Sequence, residues 1–303
     1  MDAMSVTEGF LAAAVRVATP LLLAATGETV AQRSGVMNLG LEGVMLAGAL
    51  AAALGATVWG PWTGTGAAVV AGMLVAGVFA LVAIGARVDQ IIAGTAITLG
   101  AVGLTGTIYR QAFGPAGAGL DLPTLAPLAL PGLSELPIVG AALFGQPPPT
   151  YLGFLAVPAV WWFLFRTRAG LALRAAGEAA SVARASGVRT RVVRALATVV
   201  GGGFAGLAGA TLVLAQVGTF AERMTAGRGY VAIAIVVLGR WHPVGVALAS
   251  LAFGAAMALQ FLFQTLGLDV PYQLFLMLPY ALALLALAGV VGRVKAPADL
   301  GKG

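Results

Sequence analysis

Long stretches without a charged side chain follow one another along this chain. They cover residues 43–86, 90–109, 136–165, 195–221, 241–268 and 270–292. Each is long enough for at least one membrane-spanning helix, which needs about 20 mainly apolar residues. The pattern predicts an all-α, polytopic transmembrane helical bundle.

The number of crossings that the charged segments require, together with the lengths of the apolar stretches, suggests about nine spans with the N-terminus outside the cell. The whole chain 1–303 is predicted to form a single membrane domain. The span at 229–240 is short, which favours a broken or half-crossing helix buried in protein. A re-entrant excursion over 27–42 would change the count to eight or ten. The nine predicted spans are 9–26, 40–58, 65–86, 90–109, 151–165, 195–217, 229–240, 243–265 and 271–291.

Composition agrees with a lipid environment, because 60% of the residues are hydrophobic, 9% are charged and the mean hydropathy is +0.97. The chain has no cysteine and only one histidine, His242. Disulfides and thiolate catalysis are therefore excluded, and a histidine-based metal site is not expected. No catalytic constellation is present, so we predict a protein that is not an enzyme and needs no cofactor or metal. The N-terminus lacks the basic region of a cleaved signal peptide, and the first apolar segment is expected to be retained.

Charge is unevenly distributed between two connecting segments. The segment 110–150 holds eight of the fifteen prolines and a single arginine, and we predict that it is an extracytoplasmic loop. The segment 166–194 is predicted to be cytoplasmic, since positive charge accumulates on that side of membranes. No aromatic residues interleave with its basic run, so nucleic-acid binding is not expected. Its arginines are Arg166, Arg168, Arg174, Arg184, Arg189, Arg191 and Arg194.

A carboxyl group and an amide stand among glycines where a long apolar stretch begins. Glu42 is the only charged residue between Arg33 and Arg87, and Asn38 lies one turn before it. Such groups are costly in lipid unless they face a polar cavity or a partner. This segment is our candidate for a transport path. Glu42 could receive a hydroxyl of the cargo, or it could brace the turn at 35–43.

The basic loop contains a predicted short helix from Glu178 to Ser186. Glu178 would lie at its positive end and Arg184 towards its negative end, with Gly187 as the C-terminal cap. Its small residues share one face at helical spacing, which suits insertion into a groove on a partner protein. The alternative is a solvated connector. The residues of this face are Ala179, Val182, Ala183 and Ser186.

Two glycine motifs resemble nucleotide-binding fingerprints and fail the tests for them. Residues 201–206 fit G-x-G-x-x-G, but they lie inside an apolar span with no preceding strand. Gly202, Gly206 and Ala210 instead form a ridge that allows close helix packing. Residues 35–40 have Walker-like glycine spacing without the following lysine. Transport driven by ATP would therefore need a separate ATPase subunit.

Four motifs closely resemble the signatures of one family of membrane proteins. They span residues 27–49, 89–98, 171–188 and 227–243, and they include Asn-Leu-Gly-Leu-Glu-Gly and Gly-Arg-Trp-His-Pro. The chain resembles the permease subunits of ATP-binding cassette (ABC) importers for nucleosides and simple sugars. That group belongs to the wider permease family that also serves ribose and branched-chain amino acids.

The resemblance implies a type II importer permease, a multi-pass protein of the bacterial cell (inner) membrane. Its partners would be ABC ATPase subunits, a second related permease or a second copy of this chain, an extracytoplasmic substrate-binding lipoprotein and the lipid bilayer. It also implies that the 166–194 segment is the coupling loop. The coupling residues implied are Arg174, Gly177, Glu178, Val182, Arg184 and Gly187.

Nucleosides are the first expected substrates and simple sugars the second. These cargoes are neutral, so amides, hydroxyls and backbone groups suffice to line a path. The path candidates are Asn38, Gly40, Glu42, Gly43, Thr95 and Thr98. The alternative function is an ion-gradient-driven secondary transporter of small polar solutes. Paired intramembrane carboxyl groups would favour that alternative, and the sequence suggests only one.

Overall fold

The computed structural model describes residues 3–114, 121–134, 136–137, 139–265, 277, 281, 284 and 295–302. Two π-helical segments, Leu81–Gly85 and Leu212–Val217, each continue the α-helix that ends at the residue before them. The elements are α1 (Ala3–Arg33), α2 (Leu41–Trp59), α3 (Pro61–Ala80), α4 (Gln90–Phe113), β1 (Leu128–Ala129), α5 (Gly140–Phe144), β2 (Gly145–Gln146), α6 (Pro148–Arg166), α7 (Arg168–Glu178), α8 (Ala180–Ala185), α9 (Thr190–Thr211), α10 (Arg228–Leu238) and α11 (Pro243–Thr265).

Seven of the described helices are long and apolar enough to cross a membrane, and they are α1, α2, α3, α4, α6, α9 and α11. This confirms the predicted all-α transmembrane bundle. The apolar α10 has eleven residues and is about 16 Å long, roughly half of a bilayer core. The short predicted span at 229–240 is thus a short helix. The predicted span at 271–291 lies almost entirely outside the described residues.

The alternative of a re-entrant excursion over 27–42 does not match the structure. Residues 27–33 continue α1 as regular helix, and only 34–40 form a turn before α2. The helix carries polar side chains at its end because they are buried against partners inside the protein. Glu28 is 1% exposed and Gln32 is fully buried.

Glycine allows α9 to pack closely on α3 in the centre of the bundle. A Cβ added to Gly206 would collide with the carbonyl oxygen of Ala68 and lie 3.2 Å from the Cα of Gly72. One added to Gly202 would lie 2.5 Å from the carbonyl oxygen of Gly72. The predicted packing role of this ridge is confirmed.

We expect Gly206→Ala to lower the free energy of unfolding by about 2–3 kcal/mol, because the backbone of α3 must move to admit a methyl group. The matched control is Gly66→Ala in α3, where an added Cβ meets nothing within 4 Å. The control should be neutral or stabilising by about 0.5–1 kcal/mol. Thermal unfolding of both variants in detergent measures the difference. Equal behaviour of the two variants would refute close packing at Gly206.

The bundle has two chemically different ends. The arginine-rich end comprises the connection 166–194, the turn 34–40 and the tail 295–302. The proline-rich end comprises the described parts of 110–150, where β1 and β2 pair antiparallel with Leu128 opposite Gln146. It is fixed to the far end of α9, since the amide of Leu122 donates to the carbonyl oxygen of Gly218 at 2.9 Å.

Candidate functional site

A buried carboxyl group holds the turn between α1 and α2. Oε1 of Glu28 accepts hydrogen bonds from the amide of Asn38 at 3.0 Å and from Nε2 of Gln32 at 2.9 Å. The side chain of Asn38 accepts from the amide of Gly40 at 3.0 Å. Asn38 is 1% exposed. In this conformation its side-chain oxygen therefore shapes the turn instead of facing an open cavity.

Glu42 fixes the beginning of the short helix α10. Its two carboxyl oxygens accept hydrogen bonds from the amides of Gly227 at 2.8 Å and Gly229 at 2.7 Å. The first amides of a helix have no partner within the helix and attract negative charge. Gly229 permits the contact, because an added Cβ would lie 2.5 Å from the amide nitrogen of Glu42. Glu42 thus braces the beginning of α10 and not the turn at 35–43, which the sequence did not predict.

The other end of α10 is fixed by the end of α1. Nε1 of Trp241 donates to Oε1 of Gln32 at 2.7 Å, and Nε of Arg33 donates to the carbonyl oxygen of Trp241 at 2.7 Å. Arg240 and Trp241 have φ values of 56° and 52°, which side-chain-bearing residues rarely adopt. We call Gln32, Arg33 and Glu42 the α10 clamp, since they hold both ends of this helix.

The remaining path candidates lie at the contact of α2 with α4. A Cβ on Gly43 would lie 2.8 Å from the Cα of Thr98, and one on Gly40 would lie 3.3 Å from Cγ2 of Ile97. Gly40 and Gly43 thus close this contact in the present conformation. The hydroxyl of Thr98 is buried without a hydrogen-bond partner. Thr95, nearly one turn before Thr98 on α4, is exposed.

The coupling loop folds differently from its prediction. The predicted helix from Glu178 to Ser186 begins only at Ala180, and Glu178 ends the preceding helix α7. The break occurs because the amide of Ala180 donates to Oδ2 of Asp299 at 2.7 Å, a partner 119 residues away. Gly187 follows α8 with a φ of 87°, which confirms it as the C-terminal cap residue.

A groove of about 470 Å³ runs between α7 and α8. All four residues of the predicted small-residue face line this groove, with Ala183 buried and Val182 64% exposed. Leu171 on α7 is 60% exposed. Two apolar side chains on opposite sides of an open groove can bind a partner protein. The lining residues are Arg168, Leu171, Ala172, Ala175, Glu178, Ala179, Val182, Ala183, Ser186 and Val188.

Two other predicted coupling residues contact the bundle instead of the groove. The guanidinium of Arg174 lies over the ring of Phe165 at 5.0 Å from its centroid. An added Cβ on Gly177 would collide with the carbonyl oxygen of Arg33 and lie 3.0 Å from the amide of Gly35. Both residues thus join the loop to the spanning helices.

Arg194 is a residue that the motif analysis missed. It is 8% exposed, and its guanidinium donates to the carbonyl oxygens of Ser34 at 3.1 Å, Lys302 at 3.0 Å and Ala176 at 3.1 Å. We call these four residues the Arg194 hub, because they join the turn 34–40, α7 and the C-terminal tail. The available signal was the position of Arg194 as the last of three arginines before the apolar run 195–221.

At this end the local environment shifts the pKa values of His242 and Asp299. Burial, followed by the nearby charge of Arg33, lowers the pKa of His242 below its ordinary value of 6.5. The hydrogen bond from the Ala180 amide lowers the pKa of Asp299, and the adjacent Lys302 lowers it further. His242 is therefore favoured in its neutral form and Asp299 in its charged form.

The sequence indicates one intramembrane carboxyl group, and that expectation was incomplete. It suggested Glu42 alone, whereas Glu28 is also buried in a spanning helix. Both carboxyl groups receive neutral donors from the protein itself. Among the described residues, no group of three or more histidine, cysteine, aspartate or glutamate side chains could hold a metal ion.

Comparison with known proteins identifies the architecture. The chain is 34% identical over 307 residues to a guanosine ABC transporter permease protein of Bacillus subtilis, covering 98% of this chain and 96% of the relative. It is 30% identical over 289 residues to a nucleoside ABC transporter permease protein of Lactococcus lactis, covering 92% and 91%. It is 41% identical over 266 residues to a putative glucose ABC transporter permease protein of Haloferax volcanii, covering 88% and 80%.

These relatives are translocation components, so the chain is a multi-pass permease subunit and not an enzyme, with ATPase and substrate-binding proteins as its general partners. The seven candidate spans and the four sequence motifs agree with that assignment. Residues 10–287 match the family described as branched-chain amino acid transport system / permease component. The chain therefore belongs to this family of ABC transporter permeases.

Proposed function

We propose that this chain is the gate through which an ABC importer carries nucleosides into a bacterial cell, with simple sugars as the second substrate class. The observation that carries the proposal is the match to the guanosine permease over 98% of this chain. The relative named for glucose supports the second class. Both classes are neutral and rich in hydroxyl groups, which suits a path without charged side chains.

The proposed orientation places the arginine-rich end in the cytoplasm and the proline-rich end outside the cell membrane. The concentration of arginine in 166–194 supports it, because basic residues are retained on the cytoplasmic side. The segment 110–150 would then face the substrate-binding lipoprotein. The ATPase would act on the opposite end.

The groove between α7 and α8 is the proposed ATPase-docking surface. Its apolar centre at Val182 and Leu171 is exposed, and Glu178 and Arg168 stand among its lining residues. Central apolar contacts with a charged surround are typical of protein interfaces. Arg184 is not among the residues that line the groove. In this proposal it supports α8 and does not contact the ATPase through the groove.

The exposed face of α4 is the proposed lining of the substrate path. Thr95 and Thr107 lie there, and the hydroxyl group of each donates to a carbonyl oxygen of α4 and keeps its oxygen as an acceptor. Added Cβ atoms on Gly100 and Gly103 would meet nothing within 4 Å. A second permease subunit facing this surface would enclose the path. The position of α4 and α10 would then be set by residues that do not contact the substrate. These are Asn38, Gly40, Glu42, Gly43 and Thr98.

The Arg194 hub and the α10 clamp supply a proposed connection from the docking surface to the gate. Arg194 joins α7 to the turn 34–40, and Glu28 joins that turn to α1. The clamp continues to both ends of α10. In this proposal a displacement of α7 passes along these contacts to α10. Packed helices transmit it because they move between discrete arrangements and do not deform continuously.

The docking proposal is tested by Val182→Glu in the complete transporter reconstituted in vesicles. An unpaired charge in the centre of an apolar contact should reduce ATP-driven uptake at least about tenfold, equivalent to 1.4 kcal/mol or more. Membrane insertion should be unchanged, since the side chain is exposed.

The matched control is Ala185→Glu, which adds the same charge to an exposed position of α8 outside the groove. It should keep most of the uptake. Normal uptake by Val182→Glu, or equal losses in both variants, would contradict docking at this groove.

The substrate class is tested on the partner binding protein. Nucleosides should raise its melting temperature more than pentoses or glucose do at equal concentrations. Stabilisation by sugars without any stabilisation by nucleosides would remove the first substrate class and retain the second.

A further inference from the structure

A second pocket at the arginine-rich end differs in chemistry from the α7–α8 groove. It has a volume of about 490 Å³ and lies between the π-helical end of α3, the first turn of α4, α8, the first turn of α9 and the C-terminal tail. Five of its lining side chains are cationic and one is anionic. The cationic residues are Arg87, Arg184, Arg191, Arg194 and Lys302.

The one anionic side chain does not neutralise the pocket. Asp299 accepts from the amide of Ala180 and lies 3.6 Å from Nζ of Lys302. Arg87, Arg184 and Arg191 form no salt bridge within the part of the chain that the structure describes. The guanidinium of Arg194 meets carbonyl oxygens, which orient it without cancelling its charge. The pocket thus has an unmatched capacity for an anion.

Exposed apolar side chains stand close in the sequence to residues that line this pocket. Leu81, two residues before Ala83 on the α3 extension, is 72% exposed. Next to Arg191, Val192 is 51% exposed. Exposed apolar residues adjoining arginines at the ends of spanning helices occur where lipid headgroups meet acyl chains.

We propose that this pocket binds the phosphate of an anionic phospholipid headgroup. Guanidinium groups match phosphate oxygens with paired hydrogen bonds, and basic pockets between spanning helices are suited to lipid headgroups. A soluble phosphate ester has the same anionic chemistry. The exposed apolar side chains favour the lipid, because only the lipid also offers acyl chains to Leu81 and Val192. The bound headgroup would contact α8 and the tail, next to the Arg194 hub.

The test uses the purified full-length chain in a neutral detergent, without the ATPase or a transported solute. Phosphatidylglycerol or phosphatidylcholine is added, and the lipid retained is measured by native mass spectrometry together with the melting temperature. We expect phosphatidylglycerol to be retained at least about tenfold better than phosphatidylcholine. The double variant Arg87→Gln with Arg191→Gln should lose this selectivity.

Two further variants separate the pocket from general charge and from misfolding. Arg166→Gln with Arg168→Gln removes two charges from the same end outside the pocket and should keep the selectivity. Arg87→Lys with Arg191→Lys keeps the charge and should retain at least part of it.

Three results would overturn the proposal. The first is unchanged selectivity for phosphatidylglycerol in the Arg87→Gln, Arg191→Gln variant. If that variant instead loses only ATPase coupling, the pocket would be assigned to a protein partner. The second is an equal loss in both glutamine variants. The third is equal stabilisation by glycerol phosphate or inorganic phosphate, which would assign the pocket to a soluble anion.

Discussion

Replacing Glu42 with alanine is expected to lower the free energy of unfolding by about 3–6 kcal/mol. The change leaves the amides of Gly227 and Gly229 without acceptors in a buried environment. A hydrogen bond to a charged group contributes about 1.5–3 kcal/mol, and two are lost together. The positive end of α10 also loses its counter-charge. Chemical denaturation in detergent measures the change, and vesicle uptake should fall with it.

Conservative variants separate the brace from a generic loss of packing. Glu42→Gln retains one acceptor oxygen and should lose about half as much stability. The control is Glu222→Gln, which removes a carboxylate from an exposed salt bridge with Arg110 at 2.8 Å. Exposed pairs contribute about 0–1 kcal/mol, so this control should be nearly neutral. A Glu42→Ala protein as stable as the control would show that α10 does not depend on the clamp.

Replacing Arg194 with alanine is expected to destabilise the protein by about 3–5 kcal/mol and to abolish coupling between ATP hydrolysis and uptake. Three carbonyl oxygens, on the turn 34–40, α7 and the tail, lose a shared charged donor. Once these segments separate, displacement of α7 no longer reaches α1. We expect ATP hydrolysis by the complete transporter to continue while uptake falls at least about tenfold.

The matched comparison is Arg194→Lys against Arg191→Lys. An ammonium group cannot reproduce the planar fork that reaches three separate carbonyl oxygens, so Arg194→Lys should keep only part of the stability. Arg191 is exposed on the same helix and forms no salt bridge among the described residues, so its lysine variant should be close to neutral. Equal coupling in both lysine variants would contradict a transmitting role for the hub.

The spanning helices could be predicted from the sequence because each apolar run carries its own signal. The end of α1 could not, since Glu28 and Gln32 look like a polar break until their partners are known. Those partners are the amide of Asn38 and the indole of Trp241, and the latter is 209 residues from Gln32. The position of a helix end thus depended on contacts that no local pattern records.

The candidate site shows the same division between local and distant causes. Gly187 was identified as the cap of α8 from its position alone, because a left-handed residue after a helix favours glycine. The start of α8 was misplaced because its amide is satisfied by Asp299, far along the chain. Glu42 was singled out correctly as an unusual residue, but its partners at Gly227 and Gly229 decided what it does.

We propose that this subunit opens only when another protein hydrolyses ATP at its arginine-rich end. The most direct measurement is accumulation of a radiolabelled nucleoside in vesicles that contain this chain, its ATPase and permease partners and the binding protein. We expect accumulation that requires ATP and all partners and that persists when an ionophore removes ion gradients. Accumulation by this chain alone, driven by an ion gradient and indifferent to ATP, would contradict it.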